Sequence, residues 1–350
     1  MKTERIINFN SALLEATAQA MKRDERVFVM GLGVPDPGGI FGSTKDLHKE
    51  FGEDRSMDMP LAENAMTGVV IGAALMGMRP ILTHQRIDFA LLSIEQIVNQ
   101  AAKWHYMFNG QLAVPLVIRM IIGRGWGQGP QHSQSLQSFF AHIPGLKVIM
   151  PARPYDAKGM LLAAIEDNNP VICLEHRWLQ NLKEHVPEEY YTVEIGPSRL
   201  AREGTDATIV ATSHMVVESQ RAAAELAEEN ISVEIIDLRT LAPLDPMMVL
   251  QSVRKTGRLI VADTGHISYG IGAEIVARVV EHHIPLKTPP VRVGLPDFPT
   301  PTSHALAAHY YPLAHDIANA VRRTCGQPEK PRPEYTQPLD VPDNSFTGPF

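Results

Sequence analysis

Only two cysteines, Cys173 and Cys325, occur in 350 residues, so the chain has no disulfide framework and no thiolate metal site. No apolar run reaches the length needed to cross a bilayer. The first residues, Met1-Lys-Thr-Glu-Arg5, are charged and lack the apolar centre of a signal peptide. The formal charge is -7 and no basic run is present, which argues against a nucleic-acid role. The compartment these absences predict is the cytoplasm. No internal repeat is visible beyond a shared strand-helix logic.

What is present is ordinary globular composition, with 44% hydrophobic and 20% charged residues. A chain of this length has two domains as its natural expectation. Short apolar runs at 26–30, 80–84, 114–120, 147–150 and 171–175 read as buried strands. Helical patterns at 10–23, 64–78, 93–107 and 156–166 separate them. A polar stretch over 180–204 follows. A second alternating unit then places strands at 207–211, 233–237, 258–262 and 290–294, with helices at 215–229, 270–281 and 313–323. The alternation predicts an α/β fold with two parallel-sheet α/β domains. Residues 327–350 hold six prolines and read as an extended tail.

Four places carry possible chemistry. Pro60-Leu-Ala-Glu63 sets one carboxylate at the start of a helix of small, apolar residues, Ala65–Gly77. Gln85 and Phe89 follow the strand at 80–84, and ligand-facing residues in such sheets lie at the carboxyl ends of strands. His132 stands in Gln131-His-Ser-Gln134, after the glycine-rich loop Gly123–Pro130. Each has a plainer reading when taken singly. Glu63 reads as a first-turn acid held by free N–H groups and the helix dipole. Phe89 reads as core packing and His132 as a surface-loop histidine. The glycine-rich loop lacks a following Lys-Ser/Thr and is not a Walker loop.

Taken together, these stretches resemble the β-subunit of the decarboxylating component of 2-oxoacid dehydrogenases (pyruvate, branched-chain and acetoin types), within the transketolase-like thiamine-diphosphate enzymes. The likeness runs from about Asn8 to Cys325. It is carried by Pro60–Glu63, Gln96–Lys103, Gln131–Ser135, Phe139–Val148, Asp156–Gly159, Glu166–Pro170 and Ile236–Thr240. It implies a thiamine-diphosphate pyrimidine-binding domain over 1–190, a transketolase C-terminal-like domain over 200–326 and the Pro-rich tail at 327–350. Glu63 would bond the pyrimidine N1′ of thiamine diphosphate, Phe89 would stack on the ring, Gln85 would meet its amino group and Leu61 would line the pocket. His132 would face the substrate and donate to developing negative charge. Glu63 and His132 are thus the implied catalytic pair.

The resemblance also implies what this chain leaves to others. The family's Gly-Asp-Gly motif for the diphosphate and Mg²⁺ is missing from the sequence. An α-type subunit would supply it, in a heterotetramer of two α-type and two β-type chains, with a lipoyl acyltransferase core as acyl acceptor. A K⁺ ion is expected at Leu116, Ala164, Ile165, Asp167 and Asn169, mostly through carbonyls.

Three departures mark this chain. Gly31-Leu-Gly-Val34 replaces an acidic pair, Thr83 stands where a glutamate is usual and is followed by His84-Gln-Arg86, and Arg124 and Trp126 enter the loop before His132. They read either as drift at a rim or as a less negative pocket for a substrate with an added anionic or polar group. The leading function is oxidative decarboxylation of a 2-oxo acid with acyl transfer to a lipoyl group. The competing readings are the small subunit of a split transketolase-like carboligase acting on sugar phosphates, and a non-catalytic scaffold subunit.

Overall fold

Valine, isoleucine and leucine runs too short for helices form the central strands. They are buried along their full length, as a sheet covered by helices on both faces requires. The computed structural model describes residues 5–123 and 127–333. The strands are β1 (Ile6–Asn8), β2 (Val27–Met30), β3 (Ser56–Met57), β4 (Arg79–His84), β5 (Val117–Ile122), β6 (Lys147–Ile149), β7 (Val171–His176), β8 (Lys183–His185), β9 (Arg199–Arg202), β10 (Ala207–Ala211), β11 (Val233–Asp237), β12 (Thr240–Ala242), β13 (Leu259–His266) and β14 (Val291–Leu295).

The chain parts into two units. One takes the residues up to Ile122 together with Phe139–Ile195; the other gathers Gly123–Ser138 with the chain from Gly196 onward. In the first unit the sheet runs β6-β7-β5-β4-β2-β3, and every neighbouring pair is parallel. β1 and β8 form a separate antiparallel pair. In the second unit the order is β14-β13-β10-β11-β9, parallel except for the antiparallel edge strand β9.

Where sequence and structure differ, local chemistry gives the reason. Residues 93–107 are not one α-helix. A 3₁₀ turn (Leu91–Ser93) leads into a π-helix (Gln96–Ala101) and then a short α-helix (Trp104–Met107). The Ala102 N–H reaches the Ile97 carbonyl at 3.0 Å, one residue beyond the α-helical partner. β5 begins at Val117 rather than 114, because Pro115 has no N–H for a central ladder. The polar stretch at 180–204 contains β8 and β9, whose exposed alternate residues hide their pairing from an apolar count. A helix at Met247–Thr256, amphipathic with Val249, Leu250 and Val253 inward, stands where the sequence patterns predict none.

Packing between elements uses buried charge as well as apolar area. Lys158 of the Pro154–Glu166 helix is fully buried. Its ammonium donates to Glu15 Oε1 at 2.6 Å and to the carbonyls of Pro187, Glu188 and Glu189 at 2.7, 3.0 and 2.8 Å. All its donors are thus used, which offsets the cost of burying the charge. In the second unit, the Gln137 amide reaches Asp263 Oδ1 at 2.8 Å and ties the 123–138 segment there, although the sequence assigns that segment to the first domain.

Gly145 shows how closely backbones meet. Its φ is +99°, and a Cβ there would sit 1.9 Å from the Ala102 carbonyl oxygen. Gly145→Ala should therefore lose at least about 1–3 kcal/mol from backbone strain alone, before the clash adds to it. A urea midpoint equal to that of the parent chain would show that this turn tolerates rearrangement.

Candidate functional site

The first turn of the Glu63–Leu75 helix places the key carboxylate. The N-cap is Ala62, which offers no side-chain cap, so the free N–H groups face the residues entering the helix. Glu63 is buried at 5% exposure. Its carboxylate makes no hydrogen bond or ion pair with a described residue, while its carbonyl accepts from the Thr67 hydroxyl at 2.8 Å. The same hydroxyl reaches Ser93 Oγ at 2.9 Å and pins the helix start against the 3₁₀ turn. The Glu63 oxygens are not closed off from solvent, so a ligand can reach the carboxylate at the helix start.

Gln85 stands one residue past the end of β4. Its Nε2 donates to the Leu32 carbonyl at 3.0 Å, which orients the amide and leaves Oε1 as an acceptor. The Gly31-Leu-Gly33 departure has a physical reason here. Gly33 has φ +78°, and a Cβ there would lie 3.1 Å from Gln85 Nε2. Its N–H is held by Asp58 Oδ1 at 2.9 Å. A Cβ on Gly31 would come within 2.4 Å of the Thr83 carbonyl oxygen. Bulk at either glycine would push apart the two strand ends that present Gln85.

Phe89 lies half-buried in the turn Ile87–Ala90, in the same unit as Glu63 and Gln85. Leu61 is 75% exposed in the chain. His132 belongs to the other unit, half-buried, with its N–H on the Gly129 carbonyl at 3.4 Å. Arg124 and Trp126 lie outside the described residues. The structure thus gathers Glu63, Gln85 and Phe89 in one unit and sets His132 in the segment that clusters with the other.

The turn expected to hold potassium is already supplied with positive charge. Arg79 Nη1 donates to the carbonyls of Ile165 and Asp167 at 2.9 and 3.0 Å, and Nη2 to Asn168 Oδ1 at 2.6 Å. The Leu116 carbonyl accepts from the Val171 N–H at 2.9 Å. Asp167 also pairs with Lys147, and that contact with the Asn169 N–H holds its carboxyl below the usual range against the effect of burial. At Ile165 and Asp167 a monovalent ion would have to share the carbonyl oxygens with the Arg79 guanidinium.

Sequence reasoning missed the buried charges at neighbouring strand ends. Arg119 is fully buried and forks onto Glu175, Nε to Oε1 at 2.6 Å and Nη2 to Oε2 at 3.0 Å, with Nη2 also on Ser43 Oγ at 2.8 Å. Arg86 and Arg177 are 2% and 3% exposed. The available signal was Glu175-His-Arg177, three ionisable residues directly after an apolar run. His84 is buried and its Nε2 has no hydrogen-bond partner among the described residues.

Burial lowers His84 to about 4. The unfolded chain, at about 6.5, then binds the extra proton between these values, so this contribution is complete above pH 6.5 and is lost as pH falls towards 4. At pH 5 the loss is about 2 kcal/mol. His84→Gln should flatten the fall in urea midpoint between pH 7 and pH 5. An unchanged slope would mean that His84 is charged in the folded chain.

Residues 6–183 match the transketolase pyrimidine-binding domain and residues 196–317 the transketolase C-terminal domain. The chain is 44% identical to the acetoin:2,6-dichlorophenolindophenol oxidoreductase subunit β of Cupriavidus necator, over 91% of this chain and 98% of that protein. It is 40% identical to the pyruvate dehydrogenase E1 component subunit β of Bacillus subtilis, over 89% of this chain and 96% of that protein. Among solved structures, an inactive tetramer of a split-gene transketolase superposes with a TM-score of 0.75 at 23% identity, over 93% of this chain and 99% of that one. The last is a likeness of fold.

Proposed function

Because the chain belongs to the β-subunits of the decarboxylating component of 2-oxoacid dehydrogenases, built from transketolase pyrimidine-binding and C-terminal domains, we propose that with an α-type partner it oxidatively decarboxylates a 2-oxo acid and passes the acyl group to a lipoyl group. The single observation that carries this reading is Glu63, a carboxylate at a helix start on a residue 5% exposed, which no described residue bonds and whose oxygens a ligand can reach. Thiamine diphosphate, when bound, supplies the carbanion chemistry that makes loss of CO₂ from a 2-oxo acid feasible.

The chain's own residues would prepare that site. Glu63 would hold a proton at the pyrimidine N1′, with the helix N-terminus steadying its charged form when the proton leaves. Gln85, fixed through Leu32, would accept at Oε1 from the ring amino group. Phe89 would give the ring an apolar face. His132 would donate to negative charge developing on the substrate. The chain lacks a Gly-Asp-Gly motif, so the diphosphate and Mg²⁺ fall to the partner. Exposed apolar residues on and beside the Glu63–Leu75 helix, Leu61 at 75%, Val69 at 52%, Met76 at 85% and Leu92 at 65%, fit a surface that a partner chain covers.

The test is reconstitution with the α-type partner, then assay of a panel of 2-oxo acids with an artificial electron acceptor. Thiamine-diphosphate binding without turnover of any 2-oxo acid would sink the proposal. Ketol transfer between sugar phosphates by the same preparation would put a carboligase in its place.

A further inference from the structure

The segment that carries His132 is held by the sheet of the second unit, at the place where such a sheet ordinarily takes a ligand. In the order β14-β13-β10-β11-β9, the chain passes from β10 to β11 on one side and from β13 to β14 on the other. The carboxyl ends of β10 and β13 therefore flank a switch point, where α/β sheets bind ligands. Thr212 directly follows β10, and Asp263 lies level with it, because Ala211 pairs with Ala262. The group seated there is a side chain of the protein itself. Gln137 is 0% exposed, and its Nε2 donates to Asp263 Oδ1 at 2.8 Å and to Thr264 Oγ1 at 3.3 Å. Thr212 Oγ1 donates to the same Asp263 oxygen at 2.7 Å. Gly265 leaves room for the amide, since a Cβ there would lie 2.7 Å from Gln137 Nε2.

An independent observation lies in the run between His132 and Gln137. Ser133, Ser135 and Gln137 are 1%, 8% and 0% exposed, whereas His132, Gln134 and Leu136 are half-buried. Burial that alternates residue by residue marks a run whose side chains leave by opposite sides. Fixing Gln137 inward thus fixes the side from which His132 leaves, and a slip of one residue would turn His132 inward. The other end of the loop also packs on the second unit. Gly129 has φ +65°, a Cβ there would lie 2.4 Å from Thr302 Oγ1, and its carbonyl accepts from the His132 N–H at 3.4 Å.

We propose that Asp263, acting through Gln137, is a positioning residue for His132: the switch point of the second sheet takes the His132 loop in place of a ligand and sets the face that His132 presents to the substrate. This rests on the proposed reading of the chain as a 2-oxoacid dehydrogenase subunit, in which His132 donates to charge developing on the substrate. Asp263 itself touches neither substrate nor cofactor in this role. Its carboxylate fixes the Gln137 amide, and the alternating run carries that constraint five residues back to the imidazole.

Three variants of the reconstituted complex test this. Gln137→Leu removes the amide. Gly265→Ala keeps every hydrogen-bonding group and only adds a methyl against that amide. Asp263→Asn keeps one oxygen that can accept from Gln137 and Thr212. Hydrogen exchange read by mass spectrometry should be about tenfold faster over residues 129–135 in the first two variants and close to parental in the third, with the β10 and β13 peptides unchanged. In the first two, kcat for the best 2-oxo acid should fall about tenfold or more, while KM and thiamine-diphosphate affinity hold. Asp263→Asn should retain about half the rate or better. The same changes made on His132→Ala should cost nothing further, because an anchor that acts only through His132 then has nothing left to position. Parental exchange rates in Gln137→Leu and Gly265→Ala would overturn the anchor. Equal losses with and without His132 would reduce Asp263 and Gln137 to packing and leave the proposed function standing. No turnover of any 2-oxo acid by the parent complex would overturn the proposed function and the role of His132 with it, and the exchange rates alone would then decide the anchor.

Discussion

Replacing Glu63 with Gln should lower kcat of the reconstituted complex about a thousandfold, within the range for loss of a positioned proton-transfer group. The amide keeps the size of the carboxyl but cannot carry the proton that the pyrimidine N1′ must exchange. Its packing cost should be small, because the helix start is held by Thr67 on the Glu63 carbonyl and on Ser93, neither of which uses the side chain. The effect should thus lie in kcat, with KM for the 2-oxo acid nearly unchanged. Circular dichroism and co-purification with the partner chain would report folding. A variant that retains half the parental rate would return Glu63 to the plainer role of a first-turn acid and favour the scaffold reading.

Glu175→Ala should produce the largest loss of stability in the first unit. Arg119 is wholly enclosed and Glu175 nearly so, with side-chain exposures of 0% and 3%. Removing the carboxylate leaves a buried guanidinium with only the Ser43 hydroxyl as partner. Breaking a buried pair in this way costs about 3–5 kcal/mol, whereas replacing both partners by apolar groups is often neutral. The double change Arg119→Met with Glu175→Leu should therefore recover most of the loss. Urea unfolding followed by fluorescence would measure both. A single variant within 1 kcal/mol of the parent, to order of magnitude, would mean that water or a neighbouring group compensates the arginine.

The alternation of apolar runs with helical patterns made the two parallel sheets legible, because a strand buried on both faces has to be apolar at consecutive positions. β5 and β7 are of this kind. β8 and β9 were not legible, since their pairing is made by backbone groups and their side chains alternate in exposure. The π-helix at Gln96–Ala101 was hidden for a related reason: its sequence satisfies an amphipathic helical pattern, and the extra residue per turn depends on what the face packs against.

Glu63, Gln85 and Phe89 are proposed for the site from a shared order of motifs, with the strand-end rule as their physical support. The sequence by itself also determined that a Gly-Asp-Gly motif is absent, because an absence of residues requires no coordinates. The tertiary structure decided how charge is distributed around those residues. Arg119 and Glu175 are 56 positions apart, and Arg86 and Arg177 meet Phe41 from different strand ends. Burial turns such distant ionic side chains into strong interactions, and burial is a property of the packed chain rather than of any stretch of it.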